Sequence, residues 1–176
     1  MGTAYGQVTD YLFAGTIVPA GSPLVGQSLK TQLAVVDSNV SLTDNYYTPG
    51  ELIGGDSFVA VGRNSVDSAT SSSARVYLAL GALKIEEQFD VPVLILTRGP
   101  GPQQKPIRDK AIGLLDAFIH WVQQDLTLGG VLLNGRSAVI SDYQITQTET
   151  GDDSAGAAMQ TVEIAVTLQC KNLYQP

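Results

Sequence analysis

Ile107-Arg108-Asp109-Lys110-Ala111-Ile112-Gly113-Leu114-Leu115-Asp116-Ala117-Phe118-Ile119-His120-Trp121-Val122-Gln123-Gln124, leading into Asp125-Leu126-Thr127-Leu128-Gly129-Gly130, is the stretch on which the fold turns. Ile107, Ala111, Leu114, Leu115, Phe118 and Val122 recur at helical spacing and make one apolar stripe, with Asp109, Gly113, Asp116, His120 and Gln124 lying away from it. That pattern predicts a surface helix packed on a sheet. Pro106 suits the first turn, where its missing N–H would have no partner, and Asp109 sits near the positive end of the helix dipole. Gly129 and Gly130 then let the backbone leave the helix in conformations that other residues avoid.

The sheet that this helix needs is written on both sides of it. Val91–Leu96 is apolar on both faces, like a central strand, although Pro92 cannot donate to a ladder and favours an edge or a bulge. Val139–Thr148 and Met159–Cys170 predict two antiparallel strands joined through 151–156, and Asn134-Gly135 between apolar residues is a hairpin signal. Strands are also expected around Val40 and over Phe58–Gly62, and an apolar run spans Val76–Leu83. Tyr5, Val8, Leu12 and Phe13 give a weak helical pattern within 3–18, with Thr3 as N-cap and Pro19, Gly21 and Pro23 as its stop. Between Leu24 and Gly55, Leu33, Val35 and Val40 offer short strands separated by loops. Long mobile loops are expected at 62–74, rich in serine, at 97–106, and at 149–158. The fold class that follows is α+β: a mixed, mainly antiparallel sheet with two helices packed on one face.

A chain of 176 residues, 44% hydrophobic and 15% charged, is long enough for one well-packed domain spanning 1–176. No apolar run approaches the roughly 20 residues that span a bilayer, and a secretory leader is not recognisable, so a soluble, cytoplasmic protein with no membrane partner is expected. The single Cys170 falls on the apolar side of an alternating strand and reads as a small buried hydrophobe. The net charge of −7, without a Lys/Arg cluster, argues against tight nucleic-acid binding, which draws most of its affinity from phosphate neutralisation. Acidity serves solubility equally well.

Candidate chemistry is thin. His120, the only histidine, lies on the polar face of the helix one turn after Asp116, where an Asp–His contact supports the helix. Gly151-Asp152-Asp153-Ser154-Ala155-Gly156 lacks the spacing of a nucleophile elbow and, for calcium, the further oxygen ligands and the closing glutamate. One Cys and one His do not make a structural zinc site. Gly99-Pro100-Gly101-Pro102 with Lys105 resembles a phosphate-cradling loop only superficially, because its prolines remove the N–H groups such a loop presents. Glu86-Glu87 with Asp90 is an acidic cluster that reads first as a solvated strand entry. No catalytic residue, cofactor or metal is expected. Arg108 stands out: a helical wheel puts it beside Leu115 and Ile119, with its stem on apolar surface and its fork free for a carboxylate, of this chain or of a neighbouring subunit.

Three features, Val61-Gly62, Arg108-Asp109 at the helix opening and Asp125-x-Thr127-Leu128-Gly129-Gly130 at its end, together with the order of elements, resemble the tail-terminator, or tail-completion, proteins of long-tailed phages with non-contractile tails. The resemblance covers most of the chain loosely, and none of its motifs encodes chemistry. It implies a virion structural protein, not an enzyme, assembled in the host cytoplasm. Its copies would form a ring, a hexamer, at the head-proximal end of the tail tube, stopping tube polymerisation and joining the tail to the head connector. DNA would pass the lumen without specific binding, for which an acidic wall is suited. The partners implied are the chain itself, the tail-tube protein and the connector, and the candidate interface residues are Arg98, Arg108, Asp109, Leu128, Gly129, Asp152 and Asp153. The rivals are another tail-tube or head-tail structural subunit, and, in a different class, a small-ligand binding domain or an enzyme.

Overall fold

The computed structural model describes residues 4–18, 26–43, 57–62, 72–79, 84–100, 104–132, 136–150 and 159–174. In chain order the elements are α1 (Ala4–Ala14), β1 (Thr16–Ile17), β2 (Gln27–Ser28), α2 (Leu29–Ala34), β3 (Ser41–Thr43), β4 (Ser57–Val61), β5 (Ser72–Ala79), β6 (Lys84–Pro100), α3 (Gln104–Gln124), β7 (Ala138–Thr150) and β8 (Met159–Tyr174). Strands β3-β4-β6-β8-β7 lie side by side in that order, and β5 pairs with a further part of β6. Every pairing in this sheet is antiparallel except β3 with β4, while β1 and β2 form a separate small pair. The α+β class with a mixed, mainly antiparallel sheet is therefore the observed one.

All three helices contribute to a single core on one face of the sheet. Ala4, Val8 and Leu12 of α1, Leu29 and Leu33 of α2, and the α3 stripe meet Phe89, Val91, Val93 and Ile95 of β6 and Val162, Ile164, Val166 and Leu168 of β8. Each fully buried large side chain stabilises the fold by about 1.5–3 kcal/mol. Period-2 alternation is clean over most of β8, whose even-numbered residues from 160 to 172 are buried and whose odd-numbered ones from 159 to 171 are half-buried or exposed. On the opposite face Phe58, Ala60, Leu94 and Leu96 form a second, smaller buried cluster, so β4 and β6 are apolar on both sides.

Pro92 lies in the middle strand of the sheet rather than at its edge. The register explains why: β4 ends with Val61 opposite Val93, and β5 begins with Ser72 opposite Asp90, so β6 exchanges neighbours at Pro92. The Pro92 carbonyl accepts from Gly62 N at 2.6 Å. The N and O of one residue point to the same side of an antiparallel strand, so the N–H that proline lacks would face this seam. Gly62, with φ of 87°, then leaves β4 in a conformation that suits glycine.

Several expectations need correction. Leu33 lies in a helix, α2, not a strand, and Val35 caps that helix; Ser28 opens it, its Oγ accepting from Thr31 N at 3.2 Å. The two substantial helices, α1 and α3, pack on the sheet as expected, and the short α2 is an additional element seated against α1 and α3. Ser72–Ala74 belong to β5 and Thr97–Pro100 to β6, while Gln104–Pro106 already belong to α3, so the expected loops at 62–74 and 97–106 are shorter than their boundaries suggested. Val131 and Leu132 form a turn behind α3 rather than a hairpin strand. Thr3, Asn134-Gly135, most of 62–74, and 151–158 with Asp152 and Asp153, lie outside the described residues.

Candidate assembly surface

The end of α3 is a tightly bonded turn. Asp125 Oδ1 accepts from Thr127 N at 2.9 Å and from Thr127 Oγ1 at 2.6 Å, and its Oδ2 accepts from Gly129 N at 2.9 Å. Thr127 Oγ1 in turn accepts from Gly130 N at 3.2 Å. Burial pushes the Asp125 carboxyl up, but the Thr127 hydroxyl and the N–H groups of Gly129 and Thr127 outweigh it and hold the carboxyl below its usual value. Leu128, Gly129 and Gly130 all have positive φ, of 50°, 67° and 83°. Leu128 carries that strain with its side chain fully buried in the core. Gly129 lies against the ring of Tyr11 in α1; an added Cβ would come within 2.5 Å of it. Burial, and secondarily the Asp125 charge, raise the Tyr11 hydroxyl above its ordinary value. The motif Asp125-x-Thr127-Leu128-Gly129-Gly130 thus locks the helix exit onto α1. It presents the exposed Gly129 and Gly130 backbone but not the Leu128 side chain.

At the other end of α3, Lys105 Nζ bonds Asp109 Oδ2 one turn on, and Arg108 Nη2 lies 3.7 Å from Asp109 Oδ1. The Lys105 bond, with both cations adding to it, holds the Asp109 carboxyl low. Arg108 remains half-exposed beside Asp109, so its guanidinium keeps further donors within reach of an incoming carboxylate. The flank that carries Arg108, Leu115 and Ile119 is turned away from α2, because Val36, just after α2, packs at Gly113 on the other flank and Lys110 Nζ reaches Asp37 Oδ2 at 3.4 Å there. Gly113, expected on the open polar side, is in fact a helix-contact position. Arg98, half-buried in β6, pairs with Thr161 and is distant in register from the helix exit.

The titratable groups do not converge. Glu86 and Glu87 are successive residues of β6 and so project from opposite faces. Glu86 accepts from Gln88 Nε2 at 2.8 Å and pairs with Arg136 Nη2 at 2.6 Å, which ties the approach of β7 to β6. Glu87, buried, accepts the Ala4 N–H at the start of α1 at 3.1 Å. Asp116 and His120 are both exposed, and no hydrogen bond or ion pair joins them among the described residues. Burial, then the Asp90 charge, push the Cys170 thiol up to about 12, which makes it inert as a nucleophile at neutral pH. Among the described residues no cluster of three or more His, Cys, Asp or Glu is arranged for a metal ion, and no helix is long and apolar enough to cross a membrane.

What the molecule does display is β7. From Ser141 to Glu149 every residue is exposed, on both faces of a strand whose partner β8 is half-buried. Tyr143 is 52% and Ile145 is 44% exposed, and Val139 and Met159 nearby are exposed as well. A bulge decides which residues take which face: Ile140 pairs with Leu168 but Asp142, not Ser141, pairs with Thr167, and Ser141 Oγ donates to Thr167 O at 3.3 Å. The extra residue moves Tyr143 and Ile145 onto the helix-side face, opposite Val166 and Ile164, beyond the reach of the helices. Arg136 and this edge escaped the sequence reading; the change of apolar parity from Ala138 and Ile140 to Tyr143 and Ile145 is the signal that marks the bulge. Neither a protein-family model nor a curated protein matches the chain.

Proposed function

We propose that this chain is a phage structural protein whose copies close into a ring, a hexamer, on the head-proximal end of a tail tube, where the ring ends tube polymerisation and joins the tail to the head connector. The chain works in this account by assembly rather than catalysis, needs no cofactor, and resides in the virion tail after assembly in the host cytoplasm. The observation that carries it is the exposed strand β7, because a long strand with both faces in solvent is material for joining copies rather than for holding one domain together. The sequence resemblance through Val61-Gly62, Arg108-Asp109 and Asp125–Gly130 supplies the particular assembly. The net charge of −7 favours a lumen through which DNA moves without lodging. The test is to add the purified protein to polymerising tail-tube subunits. Growth should stop with density at one tube end, and tubes that lengthen unchanged contradict the proposal. Incorporation along the tube wall would instead make the chain a tube subunit.

A further inference from the structure

The pairing pattern shows which backbone groups of β7 are unspent. Pro92 O accepts from Gly62 N, so Pro92 turns its polar groups away from β8, and its neighbours Val91 and Val93 turn theirs toward β8. Val93 pairs with Val166, so Val166 faces β6, and Ala165 and Thr167 face β7. Their partners Gln144 and Asp142 therefore spend their N–H and C=O groups on β8. Tyr143, Ile145, Gln147 and Glu149 point theirs outward, to the side on which no described strand lies. These four also carry their side chains on the helix-side face, so free hydrogen-bonding groups and the exposed apolar pair Tyr143 and Ile145 share one margin.

Natural edges are guarded by lysine, proline or a bulge. Between Ala138 and Thr150 there is no Lys, Arg or Pro, and the one bulge precedes Asp142, leaving a regular edge beyond it. We infer that this edge docks a second copy of the chain, whose β5 adds to β7 as the next antiparallel strand. The inference rests on the ring reading above and deepens it by naming the joint. Direction favours it: β5 is antiparallel to β6, β6 to β8 and β8 to β7, so β5 and β7 run oppositely within one copy. Rotation about an axis near the strand direction preserves this, bringing each neighbour's β5 to β7 in the antiparallel sense. Among the described strands β5 is paired on one side only, at the other margin of the sheet, and its eight residues come within one of the Asp142–Thr150 stretch of β7 beyond the bulge. Charge favours it too. β7 carries Asp142 and Glu149 and no cation, whereas β5 carries Arg75 and no acid; two β7 strands together would set acid against acid. A joint between different surfaces closes a ring, whereas β7 against β7 would stop at a pair.

The test uses the full chain. Gln147→Pro removes an outward N–H that β8 does not use, and Ile145→Lys places a guard charge on the edge; Val35→Lys, at an exposed site at the end of α2 outside the proposed joint, is the control. Association followed by sedimentation should weaken about tenfold or more in each β7 variant and stay unchanged in the control. Hydrogen exchange in the assembled wild type should protect the amides of Tyr143, Ile145, Gln147 and Glu149, and dilution should release them. If Gln147→Pro unfolds, Ile145→Lys and the exchange pattern decide. Rings that form equally well in the β7 variants, with these amides exchanging freely, overturn the joint but leave the ring. A wild type that remains monomeric at high concentration overturns both.

Discussion

Asp125 satisfies three donors with one carboxylate, so its loss leaves the turn after α3 without its organiser. Asp125→Ala should lower unfolding stability by about 1–3 kcal/mol in denaturant titration. The pH dependence has a definite sign. The folded-state carboxyl is held below its ordinary value, so its contribution is complete above the unfolded pKa of about 4 and is lost as pH falls through the lower folded value. Wild type and Asp125→Asn should therefore differ most at neutral pH and converge in acid; a constant difference down to strong acid would refute this role. Gly129 and Gly130 separate backbone conformation from packing. Both have positive φ, but only at Gly129 does an added Cβ meet Tyr11, whereas at Gly130 it finds open space. Gly129→Ala should cost more than Gly130→Ala, the latter about 1 kcal/mol, as read by thermal or chemical unfolding. Equal losses would show that the Tyr11 contact yields freely. The sequence displayed these glycines as a helix exit, but not that the exit is clasped to α1, because Tyr11 lies more than a hundred residues away along the chain.

Helix α3 was legible from its stripe, since periodicity reports one apolar face directly. Its second anchorage was not. Trp121 is fully buried and its Nε1 donates to Gln27 O at 2.9 Å, joining α3 to the short β1–β2 pair. Trp121→Phe should keep the fold and cost about 1–3 kcal/mol, from the unpaired carbonyl and the vacated volume; a neutral substitution would show that Gln27 is satisfied otherwise. Helix α2 was missed because six residues carry too little periodicity to compete with the β-branched Val35 and Val36, although Ser28 and Thr31 do spell a cap. Strands β6 and β8 were readable in kind, from apolar runs and alternation. Their length was not, since Lys84–Glu87 and Thr97–Pro100 enter the sheet through pairing with β5 and β8 rather than through hydrophobicity. Pro92 misled for a physical reason: it is tolerated in a central strand where that strand changes neighbours.

The fold class followed from composition and pattern, whereas the candidate joint did not, because whether Tyr143 and Ile145 are covered depends on how far the helix layer extends over the sheet. Alternation assigns them a face and cannot say that the face is bare. The acidic, exposed β7 and the basic-marked β5 lie at opposite margins of one sheet, the arrangement that the proposed joint between copies uses. Ile145→Lys on the β7 edge is expected to weaken association while leaving the unfolding free energy of the single domain within about 1 kcal/mol of wild type, because edge residues exposed on both faces contribute little to the core. The most direct measurement is the native mass of the purified full chain across a concentration series, paired with negative-stain images. A single discrete cyclic species, six copies around a central hole, is expected in equilibrium with the monomer; a monomer at every concentration, or open assemblies of unlimited length, would refute ring closure.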